Sequence, residues 1–138
     1  MDKAAFSLES YSFDKVMIDY TLLKTGNGIR IKFVPSGVFE VKENQSVYNL
    51  NFVFYAFSET QNDPFVKIEC NAIFDFAEKI SFEEIPPFFY ANSIAIIFPY
   101  VRAFISTVTL QANFSPLVLP TMNLSSLEQP LRENTIAK

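Results

Sequence analysis

The side chains that could carry chemistry here are few. Glu83 and Glu84 stand side by side ahead of Ile85-Pro86, and a pair of carboxylates can act as general acid and base when their surroundings split their pKa values. Next to a proline, the same pair more simply makes a solvated turn. Cys70 is the single cysteine, so neither an internal disulfide nor a thiolate zinc cluster can form. It lies in an alternating apolar run, where a free cysteine behaves as a small buried hydrophobe. Histidine is absent, which removes the imidazole base, the Ser-His pairing and the commonest metal ligand. The 3 glycines compose no phosphate-cradling loop. These residues point to a protein that is not an enzyme and uses neither metal nor cofactor.

What remains is apolar surface and the elements that position it. The chain has 138 residues, 49% of them hydrophobic, which suits one domain over 1–138 with a core large enough to need no staple. It carries 16 Phe and 6 Tyr but no Trp. With 11 basic and 15 acidic residues the net charge is -4. No cluster of Lys and Arg is present to neutralise phosphates, so nucleic acid is not an expected partner. The opening residues lack the continuous apolar stretch of a secretory signal. The stretch closest to a membrane span, Ile94 to Leu110, contains Pro99 and Arg102 and is bordered by Asn92 and Gln111. It reads as a buried or interface helix without membrane insertion, in a cytoplasmic protein.

Strand formers crowd Phe6 to Tyr20, with the alternation breaking between Leu8 and Tyr11, as at a bulge. Thr25-Gly26-Asn27-Gly28 reads as a turn. Ile29 to Lys42 alternates at both ends around Pro35-Ser36-Gly37, which predicts a bulge or an edge. Val47 to Phe57 is apolar on both faces over its second half and predicts an internal strand. Ser58 to Pro64 connects it to Phe65–Phe76, where Val66, Ile68, Cys70, Ala72, Phe74 and Phe76 form a packed face and only Phe65 and Ile73 interrupt the wet one. After Pro86-Pro87 the period changes. Ile94, Ile97, Phe98, Val101, Phe104, Ile105 and Val108 recur at helical steps, with Arg102, Ser106 and Thr109 opposite. Pro99 should kink that helix or begin its second half. Asn113 to Met122 reads as an extended linker, and Ser125-Ser126-Leu127-Glu128 as the cap of a last helix kept short by Pro130.

Within that helix, Ile97-Phe98-Pro99-Tyr100-Val101-Arg102 resembles the Leu-Phe-Pro-Tyr-Ala-Arg signature of the SecB export chaperones. Phe114, Leu117, Leu119, Asn123 and Leu124 then fall at that family's spacing in the segment connecting its helices. Upstream, Ile73-Phe74 and Phe6-Ser7-Leu8 with Tyr11 and Phe13 are similar to its last and first strands. The order of elements agrees over roughly residues 5 to 127, with close motif agreement over about 97 to 124.

The resemblance implies an α+β fold: a four-stranded antiparallel sheet with two C-terminal helices packed on one face, assembled as a dimer of dimers. It implies an ATP-independent holding chaperone, a homotetramer that binds unfolded or non-native polypeptides in apolar grooves for protein export and translocation. The client-binding residues expected on this basis are Phe65, Tyr100, Phe104, Phe114, Leu117, Leu119 and Leu124. Phe98, Val101 and Ile105 are expected at the oligomer interface. Taken singly, each of these side chains also suits plain core packing, and Arg102 suits a helix-face ion pair or an interface charge.

The chain departs from the family pattern in three places. Its last helix is interrupted by Pro130, its C-terminus is not acidic, and Lys67 stands beside Glu69 on the wet face. These departures weaken docking on the SecA export motor more than they weaken client holding. A chaperone dedicated to one client, such as an antitoxin, and a small apolar-ligand-binding domain are the alternatives.

Overall fold

The computed structural model describes residues 5–24, 28–113, 115, 117–119 and 122–138. Long β-rich segments build the sheet: β1 (Phe6–Ile18), β2 (Ile29–Lys42), β3 (Gln45–Ser58) and β4 (Val66–Phe76). A short strand at the end of the chain, β5 (Thr135–Ala137), completes it in the order β1-β4-β3-β2-β5. The first four strands pair antiparallel, and β5 runs parallel to β2. The expected four-stranded antiparallel sheet is thus a mixed sheet of five, because three C-terminal residues add themselves to an edge.

β3, apolar on both faces, is internal as its pattern requires. The register of β1 against β4 shifts between Leu8 and Ser10 and again between Phe13 and Lys15. The first shift falls where the alternation breaks in the sequence. Pro35 causes no bulge: β2 pairs with β3 in unbroken register through Pro35↔Phe52. The Gly37 N–H points outward, to the Asn134 carbonyl at 3.1 Å. By the period of two, the Pro35 nitrogen faces that same outer side, so the missing N–H breaks no bond to β3. Of the expected turn before β2, Thr25, Gly26 and Asn27 lie outside the described residues.

One long helix, α1 (Pro87–Gln111), lies across the sheet. Pro87 occupies its first turn, where a missing N–H costs nothing. It ends at Asn113, whose φ of 65° is a left-handed conformation that asparagine tolerates. Pro99 does not divide it. The proline is exposed, and so is Ala95 one turn earlier, so the carbonyl left without a donor can turn to water. By length and composition α1 could cross a membrane. Instead, Phe89, Ile94, Ile97, Phe98, Val101 and Ile105 bury one face of it in the core it shares with the sheet. The ring of Phe89 meets those of Phe6, Tyr48, Phe74, Phe76 and Tyr90.

After the linker comes a 3₁₀ turn, Leu124–Leu127, and then α2 (Glu128–Glu133). The capping residue is Asn123, whose side chain accepts from Ser125 N at 3.1 Å, rather than Ser125 itself. Pro130 stands in the first turn of α2, where it is tolerated, and Leu131 is fully buried.

Candidate functional site

The residues expected to act separate into groups that the fold does not bring together. Tyr100 and Phe104 lean toward β1: Tyr100 stacks on Tyr11 at 4.6 Å between centroids, and Phe104 on Phe13 at 4.0 Å. Leu124 lies on the 3₁₀ turn that packs against both α1 and β2, while Leu117 is tied to the last turns of α1. Phe98 marks the β2 side of the helix, since its ring meets Phe33 of β2 at 5.8 Å.

Other expectations are corrected by burial. Phe65 is 1% exposed; it precedes β4 rather than standing on its wet face, and Tyr20 covers it at 5.9 Å. Leu119 is 3% exposed and belongs to the core. Phe114 lies outside the described residues. Phe98, Val101 and Ile105, expected at an oligomer interface, are 7%, 1% and 0% exposed, because this stripe of α1 packs on the chain's own sheet.

The linker is fixed by two hydroxyls from the last turns of α1. Ser106 Oγ donates to the Leu117 carbonyl at 2.9 Å. Leu117 N donates to Thr109 Oγ1 at 2.9 Å, and that hydroxyl donates to the Ile105 carbonyl at 2.8 Å. Ser106 and Thr109 were expected on a polar face, yet Thr109 is fully buried. A hydroxyl that satisfies a loop backbone looks, in sequence, the same as one facing water. Beside this clamp, Leu117, Met122, Leu124 and Leu127 are only partly buried, as are Ile31 and Phe33 on β2. A row of half-covered aliphatic and aromatic groups can take up apolar side chains of an extended chain.

Burial pushes the Cys70 thiol up to about 12, which keeps it protonated and inert. Glu84 accepts from Ser81 N at 2.8 Å as half of a capping box, a structural task. Among the described residues no His, Cys, Asp and Glu cluster could hold a metal ion. On the outer face of the sheet a polar group of side chains spans β1, β3 and β4. Asn51 donates to Glu69 at 2.9 Å and to Asn71 at 3.0 Å, Asn71 donates to Asp14, and Lys15 pairs with Glu69 at 3.7 Å. The hydrogen bonds from Ser12 and Asn71 hold the Asp14 carboxyl below its ordinary range. A concavity of about 570 Å³ on this face is lined by Ser10, Tyr11, Ser12, Asp14, Asn49, Asn71 and Ile73, a wet surface rather than an apolar cavity.

The architecture is α+β, with half-buried apolar side chains where the 3₁₀ turn meets β2 and α1. A family model described as Preprotein translocase subunit SecB matches residues 32–133, most of the chain, and the chain belongs to that family of non-enzymatic chaperones. An uncharacterized protein of Methanocaldococcus jannaschii, MJ0357, is 37% identical over 75 residues, which are 51% of this chain and 48% of that protein. The chain thus spans about half the length of the curated relative it matches. Among solved structures, the Mycobacterium tuberculosis Rv1957 SecB-like chaperone in complex with a ChAD peptide from the Rv1956 HigA1 antitoxin shares the fold. Its TM-score is 0.59 at 13% identity, covering 85% of this chain and 90% of that one.

Proposed function

We propose that this protein is a cytoplasmic, ATP-independent holding chaperone that takes extended segments of non-native polypeptide along the β2 side of the molecule. The observation that carries the reading is a set of half-buried apolar side chains: Ile31 and Phe33 on β2, Leu124 and Leu127 on the 3₁₀ turn that contacts β2, and Leu117 held against α1. Each client Leu or Phe seated there contributes about 1.5–3 kcal/mol. Repeating the groove around an oligomer raises avidity without new contacts.

A homotetramer, a dimer of dimers, supplies that repetition. The face for it is the outward stripe of α1, where Phe88, Ile96, Tyr100 and Leu110 are 51%, 38%, 44% and 56% exposed. At 100° per residue these four fall within an arc of about 120°. A helix apolar on both sides has a second partner to bury.

For the client, one dedicated partner such as an antitoxin fits better than general export. The SecB-like neighbour holds an antitoxin peptide. The face that an export motor such as SecA would approach has Glu69 paired to Lys15 and Lys67 over the Tyr55 ring, so basic groups interrupt its acidic character.

The test is Leu117→Ser combined with Leu124→Ser in the full chain. Two half-buried leucines lost from the groove weaken capture of a reduced, carboxymethylated polypeptide by at least about tenfold, with native mass unchanged. Capture that stays intact would move the client surface elsewhere, and a fall in native mass would make both residues structural.

A further inference from the structure

The outer edge of β2 is occupied by the chain's own last residues, and the details of that contact point to an exchange. β5 pairs in register as Gly37↔Thr135, Val38↔Ile136 and Phe39↔Ala137. Gly37 N donates to the Asn134 carbonyl at 3.1 Å, and Lys138 N donates to the Phe39 carbonyl at 2.8 Å. The strand is three residues long, and Ile136, its one large apolar side chain, is 59% exposed. It is held on one side by a single buried pair of hydroxyls. Thr135 Oγ1 donates to the Leu131 carbonyl at 2.7 Å, so the Tyr48 hydroxyl donates to Thr135 Oγ1, also at 2.7 Å. Tyr48 reaches that point by lying over Gly37, where a Cβ would sit 1.9 Å from its hydroxyl oxygen.

We propose that this edge is a strand-addition site for the extended backbone of a non-native polypeptide, and that β5 is its resting occupant, displaced when a client segment binds. The inference rests on the holding reading above and names how the client is gripped. A strand already adds here through main-chain groups that carry no sequence information, which is what a binder of unfolded chains requires. Pro35 presents no N–H to this edge, so an incoming strand cannot simply extend the ladder toward Ile29 and must use the groups of Gly37 and Phe39 that β5 holds. Client and β5 therefore exclude one another. The site also selects. The position over Gly37 is closed by Tyr48, whose buried hydroxyl loses its acceptor when Thr135 leaves. The favoured client segment places Ser or Thr there, with its immediate neighbours turned to the outer face as Ile136 is now.

The experiment pins β5 with a disulfide between in-register partners on the outer face, Val38→Cys with Ile136→Cys, in the full chain; Cys70 is buried and stays. Capture of reduced, carboxymethylated α-lactalbumin is measured oxidised and reduced. The oxidised protein is expected to bind about tenfold more weakly, with reductant restoring wild-type binding. Equal binding in both forms would overturn the exchange while leaving the holding activity standing; wild-type protein that binds nothing would instead remove the holding reading itself. Thr135→Val gives a second reading without a disulfide. It loosens β5 and is expected to tighten capture severalfold, and unchanged or weaker capture contradicts the proposal. Hydrogen exchange separates the modes directly. Added client should expose the Lys138 amide while that of Gly37 stays protected, whereas exposure of neither, or of both, counts against strand exchange.

Discussion

Gly37 and Tyr48 form a pair in which the side chain missing from one makes room for the ring of the other. The contact needs close approach rather than an unusual backbone angle, so any Cβ must push the ring aside. Its phenol carbons, at 2.3 and 2.8 Å from the added atom, clash as well as its oxygen. Gly37→Ala is expected to cost about 1–3 kcal/mol, read from the urea midpoint, and an unchanged midpoint would show that the ring yields freely. Burial acts at the same scale on Cys70, whose thiol is pushed up to about 12 from 9.0. Above pH about 9 the unfolded chain loses this proton while the native protein keeps it, so stability falls as pH rises, by up to about 1.4 kcal/mol per pH unit. Burial also raises Tyr48, which adds a loss of the same sign above pH about 10. The expected urea midpoint is flat from about pH 7 to 8.5 and then declines. Cys70→Ala should remove the part that begins near pH 9.

At the scale of elements, a cluster of rings joins one end of the helix to the sheet, with an aliphatic stripe of Ile94, Ile97, Val101 and Ile105 following it. Phe89 is the hub of the rings, fully buried and in contact with aromatic side chains from β1, β3, β4 and α1 itself. Phe89→Ala leaves a cavity that those rigid neighbours cannot fill, and a loss of about 3–5 kcal/mol is expected by chemical unfolding. Much of this layer is legible in sequence. The period of two in Phe65–Phe76 and the three- and four-residue steps from Ile94 to Val108 declare strand and helix. The orientation of α1 is not legible, because Phe98, Val101 and Ile105 are no more apolar than Ile96, Tyr100 and Leu110. Only the chain's own sheet decides which stripe goes inward. Thr135-Ile136-Ala137 is too short to show any period, so β5 comes as an addition to the expected sheet. Phe65 misleads for a related reason: alternation assigns it a face, but it stands before the strand begins and follows the turn instead.

For the whole molecule, the family signature around Pro99 and the linker leucines led to the SecB-like family and an α+β fold, though with a mixed sheet of five strands in place of four antiparallel ones. The residues they singled out fall on two sides of α1. Tyr100 and Phe104 stack on β1 rings at one end of the sheet; the 3₁₀ turn of Leu124 contacts β2 toward the other, and Leu117 is tied to the end of α1. On the proposed function, the division separates two tasks, assembly on the outward and β1 side and client holding on the β2 side. Neither task needs nucleotide, metal or a reactive side chain. The most direct measurement is light scattering from a chemically unfolded protein diluted into buffer without ATP, with this chain present at several-fold excess. Aggregation should be suppressed in proportion to the chaperone added, and the suppression should weaken when Leu117 and Leu124 are both serine. Aggregation that proceeds unchanged at that excess would contradict the account.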